Sequence, residues 1–222
     1  MSHEEAKRAA GRKAVESIRD GMIVGLGTGT TAAYFIEALI EKGLRVETVA
    51  SSRASAEMAK RGGLDVVDIN SVPRIDITVD GADEVDGKKR MIKGGGGAHV
   101  REKILAAASE EMIVIVDESK LVDTIGHCKL PVEVLFYGSP ATRTKIEERG
   151  YAGKWRMNED GTLFITENGN LLFDIRFKSP PHTPELDHTH LIQIPGVIDT
   201  GFFFDLAGRV IIGYDDGKTK II

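Results

Sequence analysis

Residues 22–42 read MIVGLGTGTTAAYFIEALIEK and join two kinds of secondary structure through a glycine-rich turn. The apolar residues 22–24 predict a short strand, and the amphipathic stretch 32–42 predicts a helix that Gly43 ends. The connecting loop 25–31, GLGTGTT, holds three glycines and three threonines. A strand that runs through such a loop into a helix is typical of α/β domains with a mostly parallel sheet.

The rest of the first half alternates the same two patterns. Helices are predicted at residues 4–19, 55–61 and 98–110, and strands at residues 46–50, 64–69, 75–79 and 112–116. This alternation predicts a Rossmann-like, mostly parallel sheet with helices on both faces.

The pattern changes near Lys129. Strands are predicted at residues 132–136, 163–166 and 171–177, and helices at residues 141–149 and 183–193. Asn168-Gly169 favours a hairpin between the second and third of these strands. Residues 209–214 and 219–222 predict strands that return to the first sheet. We therefore expect an α/β domain of residues 1–128 with 206–222, and a small inserted α+β (ferredoxin-like) domain of residues 129–205.

Composition excludes several classes of protein. The chain has 222 residues, a formal net charge of -5 and scattered basic residues, which argues against a nucleic-acid surface. The single cysteine, Cys128, excludes an internal disulfide and fits a reducing compartment. Neither an apolar signal core nor a membrane-spanning run is visible, so we expect a soluble, cytoplasmic protein.

The loop 25–31 is suited to a single phosphate group, because amides and hydroxyls at a helix N-terminus bind anions. It departs from the dinucleotide-binding fingerprint, which needs a third glycine where this chain has Thr30. Residues 51–53, SSR, also lack the acidic residue that would bind a ribose. A tight strand-to-helix turn without a ligand is the alternative.

Carboxylates follow the strand predicted at residues 75–79. Asp80 and Asp83 lie in VDGADEV, residues 79–85, and the carboxyl ends of parallel strands are where such sheets bind ligands. The alternative is an Asp-Gly turn with Asp83 capping a helix.

A cation and a backbone amide cluster come next, in KGGGG at residues 93–97. Lys93 beside free amides is a natural oxyanion site, since four glycines weaken any helix or strand. In the following helix we expect residues 100, 104, 107 and 108 to form the apolar face and Glu102 to point away from it. Glu102 is then a base or a solvated carboxylate that the helix dipole favours.

Other polar residues have weaker patterns. Lys120, in DESK at residues 117–120, is suited to a substrate phosphate or hydroxyl, with a surface lysine as the equal alternative. His182, His188 and His190 have no metal-ligand spacing, and we expect a hydrated surface there. His99 either enters the cleft or solvates the start of a helix.

Together these motifs resemble the ribose-5-phosphate isomerase family of the A type. The matching segments are GLGTGTT at 25–31, VDGADEV at 79–85, KGGGG at 93–97, REK at 101–103 and DESK at 117–120. Their order, rather than any single motif, carries the resemblance. It covers essentially the whole chain.

The resemblance implies a role for each matching residue. Glu102 is the proton-transfer base, Asp80 and Asp83 contact sugar hydroxyls and the ring oxygen, and Lys93 helps to hold the reacting end. The implied substrate-binding residues are Lys7, Thr28, Gly29, Thr30, Thr31, Asp80, Gly81, Ala82, Asp83, Lys93, Gly94, Gly95, Gly96 and Lys120. Thr31 and Lys7 would lie near the phosphate. No metal or organic cofactor is implied.

The implied activity interconverts D-ribose 5-phosphate and D-ribulose 5-phosphate through an enediolate, in the non-oxidative pentose phosphate pathway. A homodimer or homotetramer is expected, with no nucleic-acid or membrane partner. Two alternatives stay open at this point. An NADP-dependent dehydrogenase would use residues 25–31 for pyrophosphate and Arg53 for the 2′-phosphate. A sugar-phosphate sensor would need an output module and no Glu102.

Overall fold

A computed structural model describes residues 3–222, and its internal contacts divide the chain into two compact units. The first unit comprises the chain up to Ala82, Arg101–Leu121 and Asp205–Ile222; the second comprises Asp83–Val100 and Val122–Phe204. The domains expected from the sequence differ from these units mainly in where residues 83–100 belong. Those domain boundaries stay a prediction.

Helices and strands occur in both units of the chain. The helices are α1 (Glu4–Val15), α2 (Thr30–Lys42), α3 (Arg53–Arg61), α4 (His99–Ala107), α5 (Ser139–Glu148) and α6 (Pro184–Ile192). The strands are β1 (Ile23–Leu26), β2 (Glu47–Ala50), β3 (Asp65–Val66), β4 (Ile75–Asp80), β5 (Glu84–Asp86), β6 (Met91–Ile92), β7 (Ser109–Asp117), β8 (Leu121–Val122), β9 (Leu130–Val134), β10 (Gly153–Trp155), β11 (Leu171–Ile175), β12 (Val197–Thr200), β13 (Phe202–Phe203), β14 (Ala207–Gly213) and β15 (Thr219–Ile221). Two 3-10 turns occupy Ile69–Ser71 and Glu118–Lys120.

The first unit is built on a seven-stranded sheet of order β15-β14-β7-β4-β1-β2-β3. All its neighbours are parallel except β15, which runs antiparallel to β14. In β1, Leu26 lies opposite Ala50 on one side and Val79 on the other. The chain runs from β1 outward to β3 and then returns to the other flank of β1 at β4. Open α/β sheets bind ligands at such a switch point, beyond the carboxyl ends of the strands.

Apolar runs explain why this sheet forms. Residues 112–116 of β7 are each no more than 1% exposed, as expected for a parallel strand that is covered on both faces. Helix α1 packs on α2, β7 and β14 through small side chains, with Ala6, Ala10 and Ala14 all 0% exposed. The predicted Rossmann-like fold class is confirmed for this unit.

The second unit contains an antiparallel sheet of order β10-β11-β9-β12 with helices α5 and α6. The chain order β9, α5, β10, β11, α6, β12 with this strand order is the ferredoxin-like arrangement that the sequence predicts. Its core includes Val132, Ile146, Phe173 and Leu191. A second sheet of very short strands has the order β13-β6-β5-β8.

Two predictions about local structure are wrong. Residues 163–166 form only isolated bridges, Met157 to Leu163 and Ile165 to Leu171, and not a strand. The predicted turn at Asn168-Gly169 is present, because the amide of Thr166 donates to the carbonyl of Asn170 at 2.8 Å. Strand β11 also pairs with β10, which the sequence did not predict. Helix α4 ends at Ala107, and residues 109–110, predicted to be helical, begin β7. In both places the hydrogen bonds of a neighbouring strand override local propensity.

Membrane insertion by a helix finds no support within residues 3–222, where no helix has the length and apolar composition to cross a bilayer.

Candidate active site

The glycine- and threonine-rich loop of residues 25–31, the threonine loop, lies between β1 and α2, as predicted. Gly29 has φ 100° and precedes α2, which begins at Thr30 without an acidic residue in its first turn. The N–H groups of that turn and the helix dipole therefore favour an anion. Thr30 is exposed, and Thr28 and Thr31 are half-buried.

Two serines that the sequence patterns left unassigned hold this loop. The Thr28 hydroxyl is 2.8 Å from the Ser51 hydroxyl, and Ser55 Oγ donates to the carbonyl of Gly27 at 2.6 Å. Ser51 follows β2, the neighbour of β1, and its hydroxyl also donates to the carbonyl of Leu26 at 3.0 Å. The only signal in the sequence was the position of Ser51 directly after β2, whereas Ser55 lies within α3.

Asp80 ends β4 directly beside this loop and is 0% exposed. Its Oδ1 accepts hydrogen bonds from the amide of Thr28 at 3.1 Å and from the amide of Gly81 at 2.7 Å. A Cβ on Gly27 would lie 2.0 Å from the same oxygen, so the contact requires glycine there. The structure therefore brings Asp80 and the loop 25–31 together. Ala82, the last residue of this segment of the first unit, is half-buried.

Glu102 lies in the first turn of α4 and is only 3% exposed. The buried residues of this helix are His99, Glu102, Leu105 and Ala106, whereas Ile104 is 51% exposed. The predicted apolar face, residues 100, 104, 107 and 108, is therefore wrong, and so is the solvated alternative for Glu102. The carboxylate of Glu102 therefore lies on the packed side of the helix, and its role as a base stays a prediction.

Two of the lysines predicted to bind substrate, Lys7 and Lys120, lie in the first unit, and both are half-buried. Lys7 lies on α1, and Lys120 ends the 3-10 turn after β7. Asp117 fixes that turn by accepting a hydrogen bond from the amide of Ser119 at 3.0 Å.

The second unit contains Lys93 and the glycine loop of residues 94–97. Lys93 is 2% exposed, its amide donates to the carbonyl of Gly201 at 2.9 Å, and its ammonium lies 5.5 Å from the ring centroid of Phe203. The amide of Gly95 donates to Asp83 Oδ2 at 2.7 Å. Asp83 therefore contacts the loop itself and does not cap a helix.

The glycines form a turn that only glycine adopts readily. Gly94 has φ 98° and Gly97 has φ 85°, and the amide of Gly97 donates to the carbonyl of Gly94 at 3.0 Å. Gly94 is buried, and Gly95 and Gly96 are exposed. The loop is an ordered amide cluster rather than a flexible linker.

Metal-ligand geometry does not occur within residues 3–222. That part of the chain has no group of three or more His, Cys, Asp or Glu side chains placed to hold a metal ion. His188 and His190 lie on α6, and His188 Nδ1 is 2.8 Å from the hydroxyl of Thr200. The sequence left open whether His99 enters the cleft or solvates the start of a helix, and its side chain is 0% exposed.

Comparison with known proteins decides the family. The family model described as "Ribose 5-phosphate isomerase A (phosphoriboisomerase A)" matches residues 47–217. The chain belongs to this family. The resemblance inferred from the ordered motifs is thereby confirmed.

Individual relatives agree over their whole length. Ribose-5-phosphate isomerase A of Protochlamydia amoebophila is 48% identical over 221 residues, which cover 98% of this chain and 95% of the relative. The crystal structure of ribose 5 phosphate isomerase A from Neisseria gonorrhoeae is 36% identical, with a TM-score of 0.92 over 100% of this chain and 97% of the other. A D-ribose-5-phosphate isomerase solved in complex with phospho-erythronic acid is 36% identical, with a TM-score of 0.94 over 100% and 99%.

Proposed function

We propose that the chain is an aldose–ketose isomerase, EC 5.3.1.6, that interconverts D-ribose 5-phosphate and D-ribulose 5-phosphate through an enediolate. The observation that carries this proposal is the match to ribose-5-phosphate isomerases A across nearly the whole chain. The relative that binds phospho-erythronic acid adds support, because an acid of that kind carries a planar carboxylate resembling a cis-enediolate.

The phosphate of the substrate is assigned to the β1–α2 loop. Thr28, Gly29, Thr30 and Thr31 offer amides and hydroxyls at the start of α2, whose first turn has no competing carboxylate. Lys7 is assigned to the same phosphate because its side chain is positively charged, and Lys120 is assigned to the sugar.

Ring opening is assigned to Asp80, with Asp83 contacting the sugar hydroxyls. The ring oxygen must gain a proton while the anomeric hydroxyl loses one. A carboxylate that is fixed by two amides, as Asp80 Oδ1 is, has one oxygen anchored, so its geometry is set before the substrate binds. Gly81 supplies one of those amides, and Ala82 connects the two carboxylates in the sequence.

Proton transfer is assigned to Glu102. It removes the C2 proton of ribose 5-phosphate and delivers a proton to the adjacent carbon C1, so one base serves both steps. General acid–base catalysis of this kind contributes about 10²–10⁴-fold. With 3% exposure, Glu102 is largely shielded from bulk water, which supports partial return of the same proton.

The enediolate carries a developing negative charge, which we assign to Lys93 and the amides of Gly94 and Gly96. The amide of Gly95 donates to Asp83 Oδ2 and so holds that carboxylate beside the reacting end of the sugar. Preorganised donors of this type are usually the largest electrostatic contribution to a barrier reduction. No metal or organic cofactor enters these steps.

The decisive test follows the hydrogen by NMR. Incubation of ribose 5-phosphate in D₂O should place solvent deuterium at C1 of ribulose 5-phosphate, and substrate deuterated at C2 should react more slowly. Some C2 label should appear at C1, with the remainder lost to solvent if Glu102 exchanges before it delivers the proton.

Each alternative gives a different spectrum. A hydride shift retains the label fully and admits no solvent deuterium, and that result would overturn the enediolate. A dehydrogenase requires a nicotinamide, and a sensor gives no product.

Assembly and location also belong to the proposal. We expect a homodimer or homotetramer that acts in the cytoplasm, in the non-oxidative pentose phosphate pathway. Sedimentation of the purified chain would settle its oligomeric state.

A further inference from the structure

Arg156 is a buried arginine of the second unit that none of the recognised motifs includes. It follows β10 directly, is 8% exposed and lies with its guanidinium 5.8 Å from the ring centroid of Phe164. Its Nη1 donates to the carbonyl of Gly94 and to the carbonyl of Gly95, both at 2.9 Å. One guanidinium nitrogen therefore binds two consecutive peptide groups of the glycine loop.

Asp174, on β11, fixes the other edge of the same guanidinium. Arg156 Nε donates to Asp174 Oδ2 at 2.9 Å, and Arg156 Nη2 donates to Asp174 Oδ1 at 2.5 Å. Lys129 Nζ also donates to Asp174 Oδ2, at 2.8 Å. This two-pronged pairing orients a planar guanidinium in a way that a lysine ammonium does not reproduce.

The position of the carbonyls determines where the loop amides face. No peptide bond among residues 3–222 is cis, and in a trans peptide the C=O and the N–H point in opposite directions. The carbonyls of Gly94 and Gly95 face Arg156, so the amides of Gly95 and Gly96 face the other way. The Gly95 amide accordingly meets Asp83 Oδ2 at 2.7 Å.

Glycine peptides need such an anchor, because their backbones adopt many conformations of similar energy. Rotation of the peptide between Gly95 and Gly96 would replace its N–H with a carbonyl oxygen and would repel an enediolate. A hydrogen bond to the carbonyl also polarises the peptide and strengthens its N–H as a donor.

We propose that Arg156, oriented by Asp174, is a positioning residue that holds the peptide planes of the glycine loop in the orientation that stabilises the enediolate. This inference rests on the proposed assignment of Lys93 to Gly96 to the reacting end of the sugar. Arg156 acts through the backbone and does not itself contact the substrate.

The test compares Arg156→Gln and Arg156→Lys with the wild-type enzyme. For each protein, kcat and KM are measured with ribose 5-phosphate, and the inhibition constant is measured with phospho-erythronic acid. Removing one oxyanion donor typically lowers kcat by about 10²–10³-fold, so we expect Arg156→Gln to lower it by at least about tenfold. KM should change little, and the inhibition constant should rise in parallel with the loss of kcat/KM.

Three further variants sharpen the interpretation. Asp174→Asn leaves the arginine in place without its orienting carboxylate, and it should weaken the inhibitor in the same direction as Arg156→Gln. The double variant Arg156→Gln/Asp174→Asn should have the same kcat and inhibition constant as Arg156→Gln alone, because both substitutions disrupt the same interaction. Arg176→Gln, at an exposed arginine just after β11, is the matched control and should leave all three constants unchanged.

The outcomes separate positioning from stability. Thermal unfolding of each variant is recorded, and kinetics are measured well below its midpoint. If folded Arg156→Lys and Asp174→Asn keep wild-type kcat and inhibitor affinity, the inference is overturned, even when Arg156→Gln fails to fold. A lower kcat with unchanged inhibitor affinity also overturns it. Failure of the proposed function would show instead in the wild-type protein, as a lack of conversion.

Discussion

Gly27→Ala tests the contact that joins the threonine loop to Asp80. A Cβ at this position would lie 2.0 Å from Asp80 Oδ1, 2.1 Å from its Cγ and 2.5 Å from its Cβ, far inside the 3.0 Å below which something must shift. The loop or the carboxylate must therefore move by about 1 Å, and a misplacement of that size at a catalytic group reduces turnover by up to about 10²-fold.

The effect on stability depends on which group moves. If the loop moves, overpacking lowers the free energy of unfolding by about 1–3 kcal/mol. If the carboxylate moves, it loses the amides of Thr28 and Gly81, and hydrogen bonds to charged groups contribute about 1.5–3 kcal/mol each. The variant will adopt the rearrangement that costs less, so we expect its free energy of unfolding to fall by about 1–3 kcal/mol.

The assay is the initial rate of ribulose 5-phosphate formation, paired with urea unfolding. Gly87→Ala is the control, because a Cβ at Gly87 would meet nothing within 4 Å. A folded Gly27→Ala variant with wild-type kcat would refute the view that the loop and Asp80 must keep this spacing for catalysis.

Four other changes follow from the same structure. Glu102→Gln should lower turnover by at least about 10²-fold while sugar-phosphate binding persists, and wild-type turnover would exclude it as the base. Thr31→Val should weaken binding of ribose 5-phosphate by about 1.5–3 kcal/mol, with ribose as the comparison; equal losses for both sugars would contradict a phosphate role. Asp174 is partly buried, which raises its pKa, but hydrogen bonds from Arg156 and Lys129 outweigh burial and hold the pKa below its ordinary value. Its contribution to stability is present above the unfolded pKa of about 3.9 and is lost as pH falls through the folded pKa, so the deficit of Asp174→Asn in urea unfolding should shrink below that pH. Activity should survive exhaustive dialysis against a chelator, and restoration by a divalent ion after a loss would direct attention back to His182, His188 and His190.

The sequence by itself determined the first sheet and the family. Local sequence is sufficient to predict two kinds of segment. The continuous apolar residues 112–116 predict a buried parallel strand, and the glycines of the loop 25–31 predict a turn. The alternating pattern of residues 75–79 also placed Asp80 at the end of a strand, which β4 confirms.

Only the tertiary structure decided the rest. Helix α4 buries Glu102 and exposes Ile104 because its packing partners, and not its apolar pattern, choose the buried side. Strands as short as β6 and β10 form because distant strands supply their hydrogen bonds, and no local pattern encodes that. Arg156 reaches the glycine loop across 61 positions of the chain, a contact that chain folding alone creates. Pairing between distant segments is a property of the folded molecule, which is why single-sequence patterns fail at these positions.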